Sequence, residues 1–322
     1  MATLIVAAGV CLAWCALAIW LGPRIGYLDR PDDPSLKAHE RPAVPLGGVG
    51  IFLGVHLAAL ARGGLNLTLL AATGIVLVLG LVDDRRGLPP VARLGVELVA
   101  ALVLVLGGSG SDEGVVTLVL GVALVVLAIN AVNLFDGLDG LAGSVALVTA
   151  LGLAWLVRGR GLGTEVPLEI AGALAGFLVL GWHPAKVFLG DAGAYVLGVL
   201  IAHVIIESSA DGTLQLMVTS GVLGVLAIDL VVTMLRRRRS GHPMFLGDRS
   251  HLYDQLRDRG LSVPTVAQVV AAAQAVIVVT VVSVDRLLAG WQTLTVLFSI
   301  LIGIVAVLSR VGFLGPDSRL PR

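Results

Sequence analysis

Residues 115–143 read VVTLVLGVALVVLAINAVNLFDGLDGLAG, and the two halves of this stretch have opposite characters. From Val115 to Ile129 only Thr117 is polar and nothing is charged. A run of this kind approaches the roughly 20 residues that cross a bilayer at helical rise. In lipid a segment must satisfy its own backbone hydrogen bonds, which predicts a helix. The period-two alternation of a membrane β-strand is absent. The second half, Asn130–Gly143, then places four polar side chains (Asn130, Asn133, Asp136 and Asp139) where a short turn would connect two spans. Glycines at 137 and 140 would let backbone approach a ligand closely.

Working outward, similar apolar runs recur at 3–22, 45–61, 67–82, 92–107, 115–130, 141–157, 168–182, 192–209, 214–235, 263–284 and 292–309. The expected fold is all-α, a polytopic membrane protein with about 11 transmembrane helices. Composition agrees: 57% of the 322 residues are apolar and 14% charged, with a mean hydropathy of +0.97. A soluble domain carries nearer a quarter charged residues. The longest polar stretch is 236–262, too short for a soluble domain, so residues 1–312 are expected to form a single integral-membrane domain with a short cytoplasmic tail at 313–322. No Lys or Arg precedes the first apolar run, which is therefore expected to be retained and not to act as a cleaved signal. Two cysteines, Cys11 and Cys15, exclude a disulfide framework by count.

Alternate connections differ in charge. Segments 23–44, 83–91, 131–140, 183–191, 236–262 and the residues after 309, with Arg93, hold 18 of the 22 Lys and Arg residues. The other side holds Arg62, Arg158, Arg160 and Arg286. Positive charge marks the cytoplasm, which predicts the N-terminus outside, the C-terminus cytoplasmic and any chemistry on the cytoplasmic face. Net charge is zero, so no nucleic-acid partner is expected.

That same face gathers the residues that could do chemistry. Asp83-Asp84, Asp136 and Asp139, and Asp191 in Phe188-Leu-Gly-Asp-Ala-Gly193 all fall near span ends. Carboxylates gathered at one boundary repel one another and become tolerable around a hard cation. Magnesium suits this, since it takes one or two carboxylates, keeps waters and uses substrate phosphates for the rest. Asp136 and Asp139 would share a face if their segment were helical. Asp248, Arg249 and His251, downstream of Arg236–Arg239, read as a phosphate-binding loop. Asp229, within the ninth run, is a candidate to pair with one of those arginines and orient the loop. Lys37 and His39, with Arg41, read either as an ordinary loop or as contacts to an anionic substrate. His56, His203 and Glu207 lie within spans and suggest no role.

These motifs, in this order over residues 24–262, resemble the polyprenyl-phosphate sugar-1-phosphate transferases, glycosyltransferase family 4. The matching segments are Asp29-Arg-Pro…Lys37-Ala-His39…Pro45-Leu-Gly-Gly48, Asp83-Asp84, Asn133…Asp136…Asp139, Gly190-Asp-Ala-Gly193 and Asp229…Asp248-Arg-Ser-His251. The resemblance implies that Asp191 is a magnesium ligand, assisted by Asp136, with manganese as the alternative ion. It places Asp83 and Asp84 near the acceptor phosphate, one of them as a base. Asn133, Asp136 and Asp139 would contact nucleotide and metal, and Arg249 and His251 the diphosphate. The implied partners are a UDP-sugar, polyprenyl phosphate and membrane lipid, and the family tendency is to homodimers. The implied location is the bacterial plasma membrane.

The chain departs from the family at several points. Ala194 stands where a Ser is common, His183 where many members have Asn, and Tyr253 where a further His follows. Gly87 stands where the pentapeptide transferases carry Lys, and those enzymes have three adjacent histidines where this chain has His251 alone. The N-acetylglucosamine branch is therefore the nearer one. The expected reaction transfers GlcNAc-1-phosphate to the lipid and releases UMP, for cell-envelope polysaccharide synthesis. The alternatives are phospho-MurNAc-pentapeptide transfer or, from another class, a transporter or flippase for an anionic solute. Transport sites lie near the midplane on broken helices, whereas these charges lie at the boundary.

Overall fold

The computed structural model describes residues 1–29, 42–108, 114–209, 212–240, 251–288 and 290–314. Lys37, His39, Asp248 and Arg249 lie outside the described residues. The described chain is helical, with no β-strand among its residues beyond two isolated bridges. The helices are α1 (Ala2–Leu21), α2 (Gly47–Ala61), α3 (Leu67–Arg86), α4 (Pro90–Gly107), α5 (Val115–Phe135), α6 (Leu141–Gly159) and α7 (Glu165–Gly181). They continue with α8 (Gly190–Glu207), α9 (Thr213–Ser220), α10 (Gly224–Ser240), α11 (Leu252–Asp258), α12 (Val263–Leu287) and α13 (Trp291–Arg310).

Each expected apolar run falls on a helix, and among the described residues nine helical segments are long and apolar enough to cross a membrane. Helix α2, at 15 residues, rises only about 22 Å, less than the ~30 Å hydrocarbon core. The ninth run is one helical stretch broken by a 3₁₀ turn at Gly221–Leu223. Helix α3 extends past the expected end at 82 to Arg86, so Asp83 and Asp84 sit in its last turn and not in a loop. The short α11 falls within the polar 236–262 stretch.

Helix α8 is the axis of the bundle. It packs on α2, α3, α5, α6 and α7, and its side chains from Ala192 to Ile205 are buried. Burial on all sides is what an apolar run without a polar stripe predicts. Close approach comes from small residues, as expected where lipid supplies no hydrophobic drive between helices. A Cβ on Gly80 of α3 would lie 2.2 Å from Ala192 Cα, and one on Gly48 of α2 would lie 2.2 Å from Gly193 N. Helix α7 meets α1 in the same way, through Gly172 and Gly176.

The uncharged-looking end of the bundle is tied by ion pairs. Arg62 reaches Glu169 at 2.7 Å and Arg160 reaches Asp285 at 2.8 Å. His56 shares a 2.8 Å hydrogen bond with Thr73, which gives that intramembrane histidine a packing partner.

A carboxylate crevice at one end of the bundle

The C-terminal ends of α3, α5 and α7 meet the N-terminal ends of α6, α8 and α12 around a crevice of about 690 Å³. Asp84, Asn133, Asp136, Asp139 and Asp191 all line it, as do Asp29, His183, Phe188 and Arg257. Three chain-distant segments, each read from sequence as a candidate, thus converge on one space.

The wall bearing Asp191 is held mainly by backbone. Phe188 N donates to Val44 O at 3.0 Å, Gly47 N to Phe188 O at 3.0 Å and Gly48 N to Leu189 O at 3.1 Å. The Pro45-Leu-Gly-Gly48 motif therefore braces the Phe188–Asp191 motif. Gly190 has a φ of +72°, a conformation that favours glycine, and it turns the chain into α8. The first N–H groups of a helix lack intrahelical partners. Here Asp84 supplies them: Asp191 N donates to its Oδ1 at 2.9 Å and Ala192 N to its Oδ2 at 3.4 Å. Asn133 Nδ2 donates to Asp191 Oδ1 at 2.6 Å, which orients the carboxylate from α5.

Asp83 does not itself line the crevice, although its carboxylate lies beside that of Asp191. Its side chain is buried, and both oxygens are taken. Leu88 N donates to Oδ1 at 2.6 Å, while Tyr195 OH at 2.6 Å and Arg93 at 3.3 Å donate to Oδ2. Asp83 thus ties α3 to α4 and α8. Behind it, Asn130 donates to buried Glu97 at 2.5 Å. Tyr195→Phe is expected to cost about 2 kcal/mol, the scale of a hydrogen bond to a charged group. The check is the melting temperature in detergent, and an unchanged value would mean that Tyr195 does not hold Asp83.

The Asp136–Gly140 segment is a turn, not a helix, because α5 ends at Phe135. Asp136 and Asp139 therefore reach the crevice from a turn and not from one helix face. Asp139 Oδ2 accepts from His183 Nδ1 at 2.9 Å and from Ala185 N at 3.1 Å. The two glycines serve protein contacts: a Cβ on Gly137 would meet Tyr253 OH at 2.2 Å, and one on Gly140 would meet Trp182 at 2.9 Å. Burial, together with the negative charges of Asp191, Asp84 and Asp139, pushes the Asp136 carboxyl up to about 8.

That crowding tests whether a cation belongs here. Five carboxylates, Asp29, Asp84, Asp136, Asp139 and Asp191, line one space, and burial with the neighbouring negative charges makes Asp136 resist ionisation. No preassembled group of three metal-ligating side chains exists among the described residues. A metal that takes one or two carboxylates and completes its shell with water and substrate phosphate needs no such group. The donor set fits magnesium on those terms.

His251 is buried behind the crevice. Asp229 accepts from its Nδ1 at 2.6 Å and from Leu252 N at 2.7 Å, so Asp229 anchors the start of α11. The His251 ring stacks on Tyr253 with centroids 5.3 Å apart, and Tyr253 OH donates to Leu134 O at 3.2 Å. Tyr253 thereby links His251 to the Asp136 turn. The sequence reading did not assign Tyr195 or Arg257 to the site, quoted Asp29 only within the Asp29-Arg-Pro segment, and noted Tyr253 and His183 only as departures. Asp29, Tyr195 and Tyr253 lie in or beside quoted motifs, but Tyr195 and Tyr253 act through packing between distant helices that the motifs do not show.

These features define a class: an all-helical polytopic membrane protein with a carboxylate-lined crevice at one end of its bundle. Comparison with known proteins gives the family. The glycosyl transferase family 4 model matches residues 66–209, from the N-cap of α3 to just past the end of α8. Decaprenyl-phosphate N-acetylglucosaminephosphotransferase of Mycobacterium tuberculosis (strain ATCC 25618 / H37Rv) is 30% identical over 291 residues, covering 75% of this chain and 72% of that protein. The probable undecaprenyl-phosphate N-acetylglucosaminyl 1-phosphate transferase of Bacillus subtilis (strain 168) is 27% identical, covering 74% and 72%. Phospho-N-acetylmuramoyl-pentapeptide-transferase of Shouchella clausii is 31% identical, covering 72% and 81%. The chain belongs to glycosyl transferase family 4.

Proposed function

We propose that this chain transfers GlcNAc-1-phosphate from UDP-GlcNAc to a polyprenyl phosphate, releasing UMP and leaving a polyprenyl-diphospho-sugar. The observation that carries this is the convergence of Asp84, Asn133, Asp136, Asp139 and Asp191 on one crevice at an end of the bundle. A lipid substrate presents its phosphate at such a boundary while its chain stays in the membrane. The names of the mycobacterial and Bacillus relatives support N-acetylglucosamine as the sugar. The excess of Lys and Arg on the crevice side supports a cytoplasmic site in a bacterial plasma membrane. The pentapeptide relative supports the alternative donor, UDP-MurNAc-pentapeptide.

In this mechanism an oxygen of the acceptor phosphate forms a bond to the sugar-linked phosphorus. The bond from that phosphorus to the bridging oxygen breaks, and UMP leaves with the electron pair. Catalysis is then mainly alignment and neutralisation of charge, as in phosphoryl transfer generally. Asp191 and Asp136 would hold magnesium, with manganese as the alternative; when bound, the ion neutralises phosphate charge. Asn133 orients Asp191. Asp84 keeps the start of α8 in place, and Asp83 positions α3 against α4 and α8 without touching substrate. A phosphate monoester, with a second pKa of about 6, is largely dianionic at pH 7 and needs no base. His251 and Asp229 hold α11 against the crevice, and Asp248 and Arg249 remain candidates for the diphosphate, as Lys37 and His39 do for an anionic substrate.

The test uses purified protein in detergent with polyprenyl phosphate, magnesium and a panel of UDP-sugars. UMP release is expected with UDP-GlcNAc, dependent on lipid and abolished by EDTA. Folded protein that releases UMP only with UDP-MurNAc-pentapeptide would select the alternative, and release with no donor would overturn the reading.

A further inference from the structure

The crevice proposed to take two anionic substrates is lined by Asp84, Asp136, Asp139 and Asp191. Among the described residues, Arg257 is the one lysine or arginine on that lining. His183 is the other basic side chain there, and its Nδ1 is turned to Asp139 at 2.9 Å. Arg257 comes from the last turn of α11, separate from the elements that carry the carboxylates. It therefore adds positive charge to a wall of its own.

The guanidinium is anchored but not consumed. One NH1 hydrogen is donated to Leu261 O at 3.0 Å, which fixes the side chain across the turn into α12. A guanidinium carries five N–H donors in a planar fork that matches phosphate oxygens. A basic residue here could serve membrane orientation alone, and nearby Arg259 behaves that way. Arg259 is exposed, donates to Val311 O at 3.1 Å and lies over the Phe313 ring. Arg257 is instead half-buried at the crevice.

We infer that Arg257 is a phosphate-binding residue of this site, contacting phosphate oxygens of either the donor diphosphate or the acceptor lipid phosphate. The inference rests on the transferase reading above. Loss of an Arg contact made equally in ground and transition states raises KM and leaves kcat unchanged. The experiment compares wild type with Arg257→Ala and Arg257→Lys. It measures KM for UDP-GlcNAc and for polyprenyl phosphate, and the Kd of UDP in magnesium buffer by calorimetry. The expected result is a rise of roughly 10- to 100-fold in one KM, the range of a lost charge-assisted hydrogen bond. Lys should recover part of it. A weaker UDP Kd with a higher donor KM identifies the diphosphate; a higher acceptor KM alone identifies the lipid phosphate. Both KM values and the UDP Kd within about 2-fold of wild type would overturn the inference, whatever happens to kcat. Wild type that neither releases UMP nor binds UDP would overturn the transferase reading and this inference with it.

Discussion

Asp191→Asn is expected to lower UMP release by at least ~100-fold while leaving the melting temperature in detergent within a degree or two of wild type. The size follows from what removal of one electrostatic stabiliser costs at a reacting group, about 10²–10³ in kcat. The separation of activity from stability follows from the local structure. Asparagine keeps the shape of the side chain and loses its negative charge. The start of α8 stays capped, because its N–H groups donate to Asp84 and not to Asp191 itself. The contact to Asn133 Nδ2 at 2.6 Å can persist through the amide oxygen of the new side chain. Only the charge available to a cation is removed. Retention of more than about a tenth of the wild-type rate would remove Asp191 from the proposed metal site.

The second large effect is structural and works on the same residues from behind. Gly80→Ala is expected to lower both stability and activity, because its Cβ would lie 2.2 Å from Ala192 Cα and 2.3 Å from Ala192 N. Both obstacles are backbone, so no rotamer change relieves them, and α3 must move away from α8. Overpacking of this kind costs about 1–3 kcal/mol or more. The displaced segment carries Asp84, whose carboxylate holds Asp191 N at 2.9 Å, so the crevice should lose its geometry along with the packing. Gly74→Ala on the same helix is the control, since nothing lies within 4 Å of its Cβ position. That variant should melt at or slightly above the wild-type temperature, alanine being the better helix former. Equal behaviour of the two variants would mean that the α3–α8 contact is not the constraint.

Much of the site is legible one segment at a time. Asp136, Asp139 and Asp191 stand out because each interrupts or borders an apolar run where a carboxylate is costly. Asp83 and Asp84 look equivalent in sequence, yet they do different things. Neighbouring positions on a helix point about 100° apart. One carboxylate therefore turns into the crevice and the other into the α4–α8 packing. His251 stands in a motif that suggests substrate contact, and the sequence does not show that its Nδ1 meets Asp229 from another helix.

The sequence by itself determined that this chain is an all-helical membrane protein, where its apolar segments run and which connections carry the charge. These are local properties: hydropathy over about 20 residues, and the rule that backbone in lipid must bond to itself. The ordered motifs also determined the family. Only the tertiary structure decided that Asp84 caps α8, that Pro45–Gly48 braces Phe188–Asp191, and that Arg257 joins the crevice. Those facts depend on which helix faces meet. That is set by Gly80 and Gly48 against Ala192 and Gly193, contacts between residues more than a hundred positions apart.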